Sequence, residues 1–181
     1  MNEKLNNLVL HSIRQYRKPN TLDLTVGEGH FQAPFNAKLG VYEALLMNQT
    51  KYSTISGEES LRKKFVSKYY SQYDYEEVVV TNGATQGIFI ALMAIINNNS
   101  DEIIVLAPYY PAYAQIITLL GAKPVIVDTK DHDFKISITK LKEYLTYNTV
   151  GIIINEPCNP TGVTYTLEEK LELLKLFREH K

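Results

Sequence analysis

Cysteine is close to absent from this chain of 181 residues, with Cys158 the only one. A single thiol excludes an internal disulfide framework and suits a reducing compartment. An excess of one charge sign is also lacking. The formal net charge is -1 and the basic residues are scattered, so no broad field exists to attract nucleic acid or an anionic membrane. Long apolar runs are missing as well: no stretch reaches the roughly 20 residues needed to span a bilayer. The opening Met1-Asn2-Glu3-Lys4-Leu5 lacks the apolar run of a signal peptide. His11, His30, His132 and His180 stand far apart, none at ligand spacing with another His, the Cys or an acidic cluster, so no metal site is expected. These absences lead to the expectation of a soluble, cytoplasmic protein with neither nucleic acid nor membrane as partner.

Hydrophobic residues at 45% and charged residues at 22% are near globular averages, and the length suits one domain with a real core. Residues 1–19 have the pattern of a short basic helix ended by Pro19, which disfavours helix at the residue before it. Leu22-Asp23-Leu24-Thr25-Val26 alternates like a strand and breaks at Gly27-Glu28-Gly29. Residues 36–48 predict a helix with Leu39, Tyr42, Leu45 and Leu46 on one side. Ser56-Gly57-Glu58-Glu59 fits a capping box, and Leu61, Phe65, Tyr69 and Tyr73 mark one helix face behind it. A β-branched strand is expected over 77–81, then a turn at Asn82-Gly83-Ala84 and a helix over 85–96. Strands at 103–106, 124–127 and 150–154 alternate with helices at 111–120 and 139–146. Thr166-Leu167-Glu168-Glu169 supplies a second capping box, opening a helix with Leu167, Leu171, Leu174 and Phe177 inward. Strands alternating with helices imply βαβ units and an α/β fold with a mainly parallel sheet.

Three segments that follow strands carry the candidate chemistry. Thr81-Asn82-Gly83-Ala84-Thr85-Gln86-Gly87 joins a strand to a helix. Small residues there let backbone N–H groups approach an anion that the helix N-terminus favours, and Thr85 adds a hydroxyl. An ordinary tight βα turn needs the same small residues for steric reasons. Ala107-Pro108-Tyr109-Tyr110-Pro111-Ala112-Tyr113 follows the next strand. Its rings either stack on a flat heteroaromatic ligand or pack under a loop with their hydroxyls in water. Asn159, after the strand at 150–154, either donates its side-chain amide to a ligand oxygen or serves as a turn residue before Pro160. Cys158 reads as a small buried residue, since nothing beside it would activate a thiolate. In order, an anion turn, an aromatic loop and an amide line one sheet edge. Pyridoxal phosphate (PLP), with its phosphate, flat ring and phenolic oxygen, requires that arrangement. The glycine spacing is not G-x-G-x-x-G and no Walker lysine is present, which disfavours a nucleotide-binding doubly wound domain.

The run Val150-Gly151-Ile152-Ile153-Ile154 into Asn155-Glu156-Pro157-Cys158-Asn159-Pro160-Thr161-Gly162 resembles the hallmark of class I/II aminotransferases, the fold-type I PLP enzymes. Leu22-Asp23-Leu24-Thr25-Val26-Gly27-Glu28 is similar to that family's L-x-x-G-E segment, with Gly29 where the family usually has proline. Lys51-Tyr52-Ser53-Thr54-Ile55-Ser56-Gly57 with Leu61-Arg62 resembles its Y-x-x-x-x-G-x-x-x-L-R. The resemblance runs from about Leu22 to Lys181. It implies a three-layer αβα fold, with residues 1–48 as N-terminal arm and small-domain segment and 49–181 as the first part of an incomplete PLP-binding large domain. It implies cofactor contacts at Ala84, Thr85, Tyr110 and Asn159, and Gly27 beside the substrate carboxylate. Tyr52 then reaches the phosphate of a neighbouring subunit, so a homodimer or a complementing chain is the expected partner. Amino acid and 2-oxo acid are the implied substrates; a C–S β-lyase is a sibling activity on the same scaffold. The lysine that holds the cofactor, an aspartate and a substrate-binding arginine are expected downstream of Lys181, and no residue of this chain is assigned a catalytic role. The family's sheet order separates the strand near 78–81 from the next by strands encoded downstream, which leaves that strand without neighbours. The isolated chain is therefore expected to be inactive, with a non-catalytic remnant or half of a split protein, acting as a cofactor-binding or interaction module, as the alternative.

Overall fold

Alternate residues of the strand Glu102–Ala107 (β1) point into two different apolar clusters, and the architecture follows from that alternation. The computed structural model describes residues 29–180, together with 18, 20, 22 and 27. The expected helix over 1–19 and strand over 22–26 lie outside the described residues. The chain divides into two compact units, Met1–Tyr52 and Ser53–Lys181. In the first unit the helix Phe35–Leu46 (α1) has no buried residue, so the expected stripe of Leu39, Tyr42, Leu45 and Leu46 is exposed.

The second unit is built on β1, flanked in parallel by Lys123–Asp128 (β2) and Thr149–Ile153 (β3), in the order β2-β1-β3. Ile103 and Val105 face a cluster with Leu92, Tyr113, Ile116 and Ile117, from the helices Gly83–Ile95 (α3) and Ala112–Leu119 (α4). Ile104, on the opposite face, meets Val127, Leu141, Leu173 and Leu176. The last three of those come from the helices Ile138–Tyr144 (α5) and Leu167–Glu179 (α6). Helices on both faces of a parallel sheet make the three-layer αβα fold. Ile103, Ile104 and Val105 are fully buried, each contributing roughly 1.5–3 kcal/mol by transfer from water. The register of β3 slips between Glu102 and Ile103, which leaves Val150 as an extra residue. Asp101 fixes the entry to β1 by accepting the N–H groups of Asn97 (2.7 Å) and Asn98 (3.0 Å). Those two bonds hold its carboxyl below the usual range.

Four local expectations are corrected. No strand forms over 77–81: Tyr75–Glu77 is a 3-10 turn, and the extended residues beyond it join no ladder. The Val78 N–H closes onto Tyr75 O at 3.2 Å and the Val80 N–H onto Ser56 O at 2.9 Å, so the backbone groups find loop partners. Ser56 caps nothing; the helix Glu59–Tyr69 (α2) has Glu58 at its N-cap with no side-chain cap bond. The capping box in this region is Asp74 with Glu77, which closes the 3-10 turn. On α2 the buried residues are Arg62 and Val66, whereas Leu61, Phe65, Tyr69 and Tyr73 are exposed. On α6 the inward residues are Leu173 and Leu176, while Leu167, Leu171 and Leu174 are exposed and Phe177 lies at the edge of the core. α6 carries two candidate apolar stripes, and α2 sets its apolar stripe against a face with Arg62 and Val66. The stripe that meets an already buried surface wins, because only there is apolar area removed from water.

Candidate functional site

The carboxyl ends of β1 and β3 carry the two loops that the sequence singles out. β1 leads through a cis Ala107–Pro108 bond into Tyr109 and Tyr110. β3 leads through Ile154 into Asn155, with cis bonds at Glu156–Pro157 and Asn159–Pro160. The loops meet where Cys158 Sγ donates to Pro108 O at 3.7 Å. Thr129, at the end of β2 and 1% exposed, closes the third side. Both its N–H (3.1 Å) and its Oγ1 (2.8 Å) donate to Ala107 O. Beneath the loops lies a cavity of about 20 Å3, lined among others by Pro108, Tyr109, Tyr113, Asn155, Cys158 and Asn159. Space of that size holds no more than a water-sized group, so a flat ring would lie over this edge and not inside it.

Asn159 is exposed on the rim of the cavity. Its backbone N–H donates to Asn155 Oδ1 at 2.8 Å, which anchors the residue by its main chain. Tyr110 is half-buried and stands edge-on to Tyr113, with ring centroids 5.7 Å apart and planes at 80°. Tyr113 itself is buried, and burial pushes its hydroxyl pKa up, with smaller contributions from Cys158 and Tyr110. Its phenol is therefore neutral, a rigid support for the neighbouring ring.

Ala84 and Thr85 are exposed in the first turn of α3. No side chain caps that helix; Gln86 Oε1 reaches back to accept the Asn82 N–H at 2.6 Å. Gly83 adopts φ +75°, a conformation that an L side chain rarely takes, and no atom lies within 4 Å of where its Cβ would stand. Ile88 and Phe89, one turn further on, pack in the same cluster as Tyr109 and Tyr110. The Tyr110 and Asn159 loops thus meet beyond the ends of β1 and β3, and the helix that carries Thr85 packs on the same cluster as the Tyr110 loop. An uncapped helix start lined with small residues fits a phosphate, an exposed amide fits a ring oxygen, and a propped tyrosine fits a flat ring. Tyr52 and Gly27 belong to the first unit, where both are exposed.

The lysine positions sharpen the picture. S-x-x-K spacing occurs twice, as Ser60-Leu61-Arg62-Lys63 and Ser137-Ile138-Thr139-Lys140. Lys63 pairs with Glu59 at 2.5 Å on an exposed helix face, and that partner raises its pKa. Lys140 donates to Asp128 O at the end of β2. Neither lines the cavity. Lys123 pairs with Glu102 at 3.6 Å, at the opposite end of the sheet.

Several supporting residues were not singled out from the sequence: Asn155, Tyr113, Thr129 and the bond from Cys158. Asn155 was readable in principle, because an Asx residue ending a strand commonly caps the turn beyond it. Thr129 and Cys158 act across chain separations of 22 and 50 residues, which no local pattern reveals.

The family model for "Aminotransferase class I and II" matches residues 20–181. A probable N-acetyl-LL-diaminopimelate aminotransferase of Bacillus subtilis (strain 168) is 34% identical to this chain, over 98% of it and 48% of the relative. Aspartate/prephenate aminotransferase of Nitrosomonas europaea is 33% identical, over 89% of this chain and 42% of its own length. Among solved structures, a tetra mutant of Thermus thermophilus aspartate aminotransferase superposes with a TM-score of 0.83 at 32% identity. That match covers 93% of this chain and 47% of the other. The aromatic aminotransferase from Pyrococcus horikoshii OT3 gives a TM-score of 0.82 at 30% identity, over 95% and 47%. The chain spans about half the length of the relatives it matches. By the family match and by the fold it shares with these structures, the chain belongs to the class I and II aminotransferases, a family of pyridoxal-phosphate-dependent enzymes.

Proposed function

We propose that this chain is the N-terminal part of a cytoplasmic PLP-dependent aminotransferase that passes an amino group from an amino acid to a 2-oxo acid. The observation that carries the reading is the meeting of the Tyr110 and Asn159 loops at the carboxyl edge of the sheet, with the uncapped helix packed on the same apolar cluster as the first. Cys158 against Pro108 O ties the Asn159 loop to the Tyr110 loop, and Ile88 and Phe89 of the uncapped helix pack on the same buried cluster as Tyr109 and Tyr110. PLP, when bound, supplies an electron sink for the α-carbon of the amino acid. The chain's own residues bind and orient it. The N–H groups of Ala84 and Thr85, with Thr85 Oγ1, take the phosphate at the positive end of α3. Tyr110 lays its ring against the cofactor ring, and the Asn159 amide donates to the ring hydroxyl oxygen. By likeness to the family, Gly27 lies against the substrate carboxylate and Tyr52 reaches the phosphate held by a second subunit. The working assembly is then a homodimer, or a complex with a complementing chain.

Binding and turnover separate in this chain, because Lys63 and Lys140, the two lysines at S-x-x-K spacing, are engaged with Glu59 and Asp128. The same observation favours a second reading, a cofactor-binding module or split half that is silent by itself. Purified chain titrated with PLP is expected to bind it saturably, and Asn159→Ala to weaken binding by roughly three- to tenfold, the worth of one hydrogen bond. With an amino acid and a 2-oxo acid added, no sustained turnover is expected. Absent or Asn159-indifferent binding overturns the cofactor assignment; sustained turnover by the chain alone overturns its inactivity.

A further inference from the structure

Arg62 is 6% exposed, although arginine is almost never buried unless its guanidinium is fully engaged. Its Nε donates to Gly57 O at 3.2 Å and its Nη1 to Tyr75 O at 2.8 Å, with the guanidinium carbon 5.3 Å from the Tyr75 ring centroid. The two carbonyls belong to segments that bracket the extended stretch entering the anion turn. Tyr75 O also accepts the Val78 N–H at 3.2 Å, at the start of that stretch. At its end, the Val80 N–H donates to Ser56 O at 2.9 Å, beside Gly57. Gly57 has φ +98°, and a Cβ there would stand 2.6 Å from Val80 Cβ, so the turn and the stretch are in direct contact. Thr81 follows, its Oγ1 donating to Gly83 O at 3.0 Å, and Ala84 and Thr85 come next. The stretch has no sheet ladder to hold it. Its position rests on these loop bonds, and Arg62 is the side chain that spans both of their anchors.

We propose that Arg62 is a positioning residue for the cofactor phosphate: by clamping Gly57 O and Tyr75 O it sets where Thr81–Thr85 presents its amides. The inference rests on the assignment of the phosphate to Ala84 and Thr85. Its distinguishing consequence is selectivity. The clamp acts on the phosphate amides alone, while the ring and the phenolic oxygen are held by Tyr110 and Asn159 on other elements. Lysine cannot replace the fork, since an ammonium does not bridge two carbonyls in fixed planar geometry.

The test is to titrate the purified chain with PLP and, separately, with pyridoxal, which lacks the phosphate. The wild-type chain is expected to prefer PLP. Arg62→Lys is expected to weaken PLP binding about tenfold and pyridoxal binding less than about twofold, with the helical circular-dichroism signal retained. A folded Arg62→Lys with an unchanged PLP-to-pyridoxal ratio, including equal loss of both, overturns the inference and leaves Arg62 a purely structural residue. Should Arg62→Lys fail to fold, Gly57→Ala decides. It strains the turn whose carbonyl Arg62 Nε holds and pushes Val80, and must produce the same phosphate-selective loss; an unchanged ratio there overturns the inference as well. A wild-type chain indifferent to the phosphate overturns the phosphate assignment itself, and with it the role of Arg62.

Discussion

Single residues decide how closely the layers of this unit approach. Gly151 in β3 is the sharpest case: a Cβ there would stand 3.1 Å from the Cδ1 atoms of both Ile103 and Ile95. Its backbone is ordinary, so the requirement is for space and not for conformation. Gly151→Ala is expected to overpack the contact between β3, β1 and α3, lowering stability by about 1–3 kcal/mol. A urea unfolding midpoint reads that loss directly, and an unchanged midpoint means the two isoleucines give way freely. Polar residues act at the same scale. Asn155 Oδ1 holds the Asn159 N–H, and Tyr165 OH accepts the buried Ile136 N–H at 3.1 Å. Burial raises the Tyr165 hydroxyl pKa despite that bond. A raised tyrosine favours the fold below its ordinary value of 10.0 and withdraws that support as pH rises through the higher folded value.

At the scale of elements, caps and ion pairs settle where helices begin and how they are rotated. Thr166 Oγ1 accepts the Glu169 N–H at 3.2 Å, and Glu169 Oε2 accepts the Thr166 N–H at 2.7 Å. Both Glu169 oxygens also meet Lys135 Nζ at 2.9 Å. Lys135 first, and then the Thr166 N–H, hold the Glu169 carboxyl below its ordinary value of 4.5. A lowered carboxylate supports the fold above that ordinary value and loses its contribution as pH falls through the folded one. Thr166→Ala should therefore cost about 1 kcal/mol. Glu169→Gln should lower the thermal midpoint at neutral pH, and the gap to the wild type should close as pH falls through the folded value; a gap that does not narrow in acid removes the carboxylate from the account. This box was legible in Thr166-Leu167-Glu168-Glu169 because the bonds it makes are local. The Ser56 box had the same letters and failed. Thr54 Oγ1 instead bonds Gly57 O, and Gly57 at φ +98° turns the chain where a helix start was expected. Helix faces were legible less well than helix existence. On α6 Leu173 and Leu176 turn inward in place of Leu167, Leu171 and Leu174, since the choice between stripes is made by the surface they meet.

Over the whole molecule, protection from solvent is concentrated in β1, paired on both sides and covered by a helical layer on each face. The stretch 78–80 has no ladder, and Val79 and Val80 are exposed. Hydrogen exchange is expected to be slowest at Ile104 and Val105 and faster by about a hundredfold or more at Val79, because local openings need far less free energy than global ones. Equal protection at the two places is incompatible with this sheet order. The alternation of strands and helices, the mainly parallel α/β class and the three loop segments with candidate chemistry were all written in the chain, because each depends on periodicity or on neighbours a few residues apart. Ala84, Thr85, Tyr110 and Asn159 were named within those segments by resemblance to the family. What required the tertiary structure was long-range in origin: Cys158 bonded to Pro108 O, Thr129 to Ala107 O, and Arg62 to Gly57 O and Tyr75 O. A strand becomes one only when a neighbour accepts its hydrogen bonds, and a helix face becomes inner only when another surface covers it. Those conditions are set by where distant segments arrive in space.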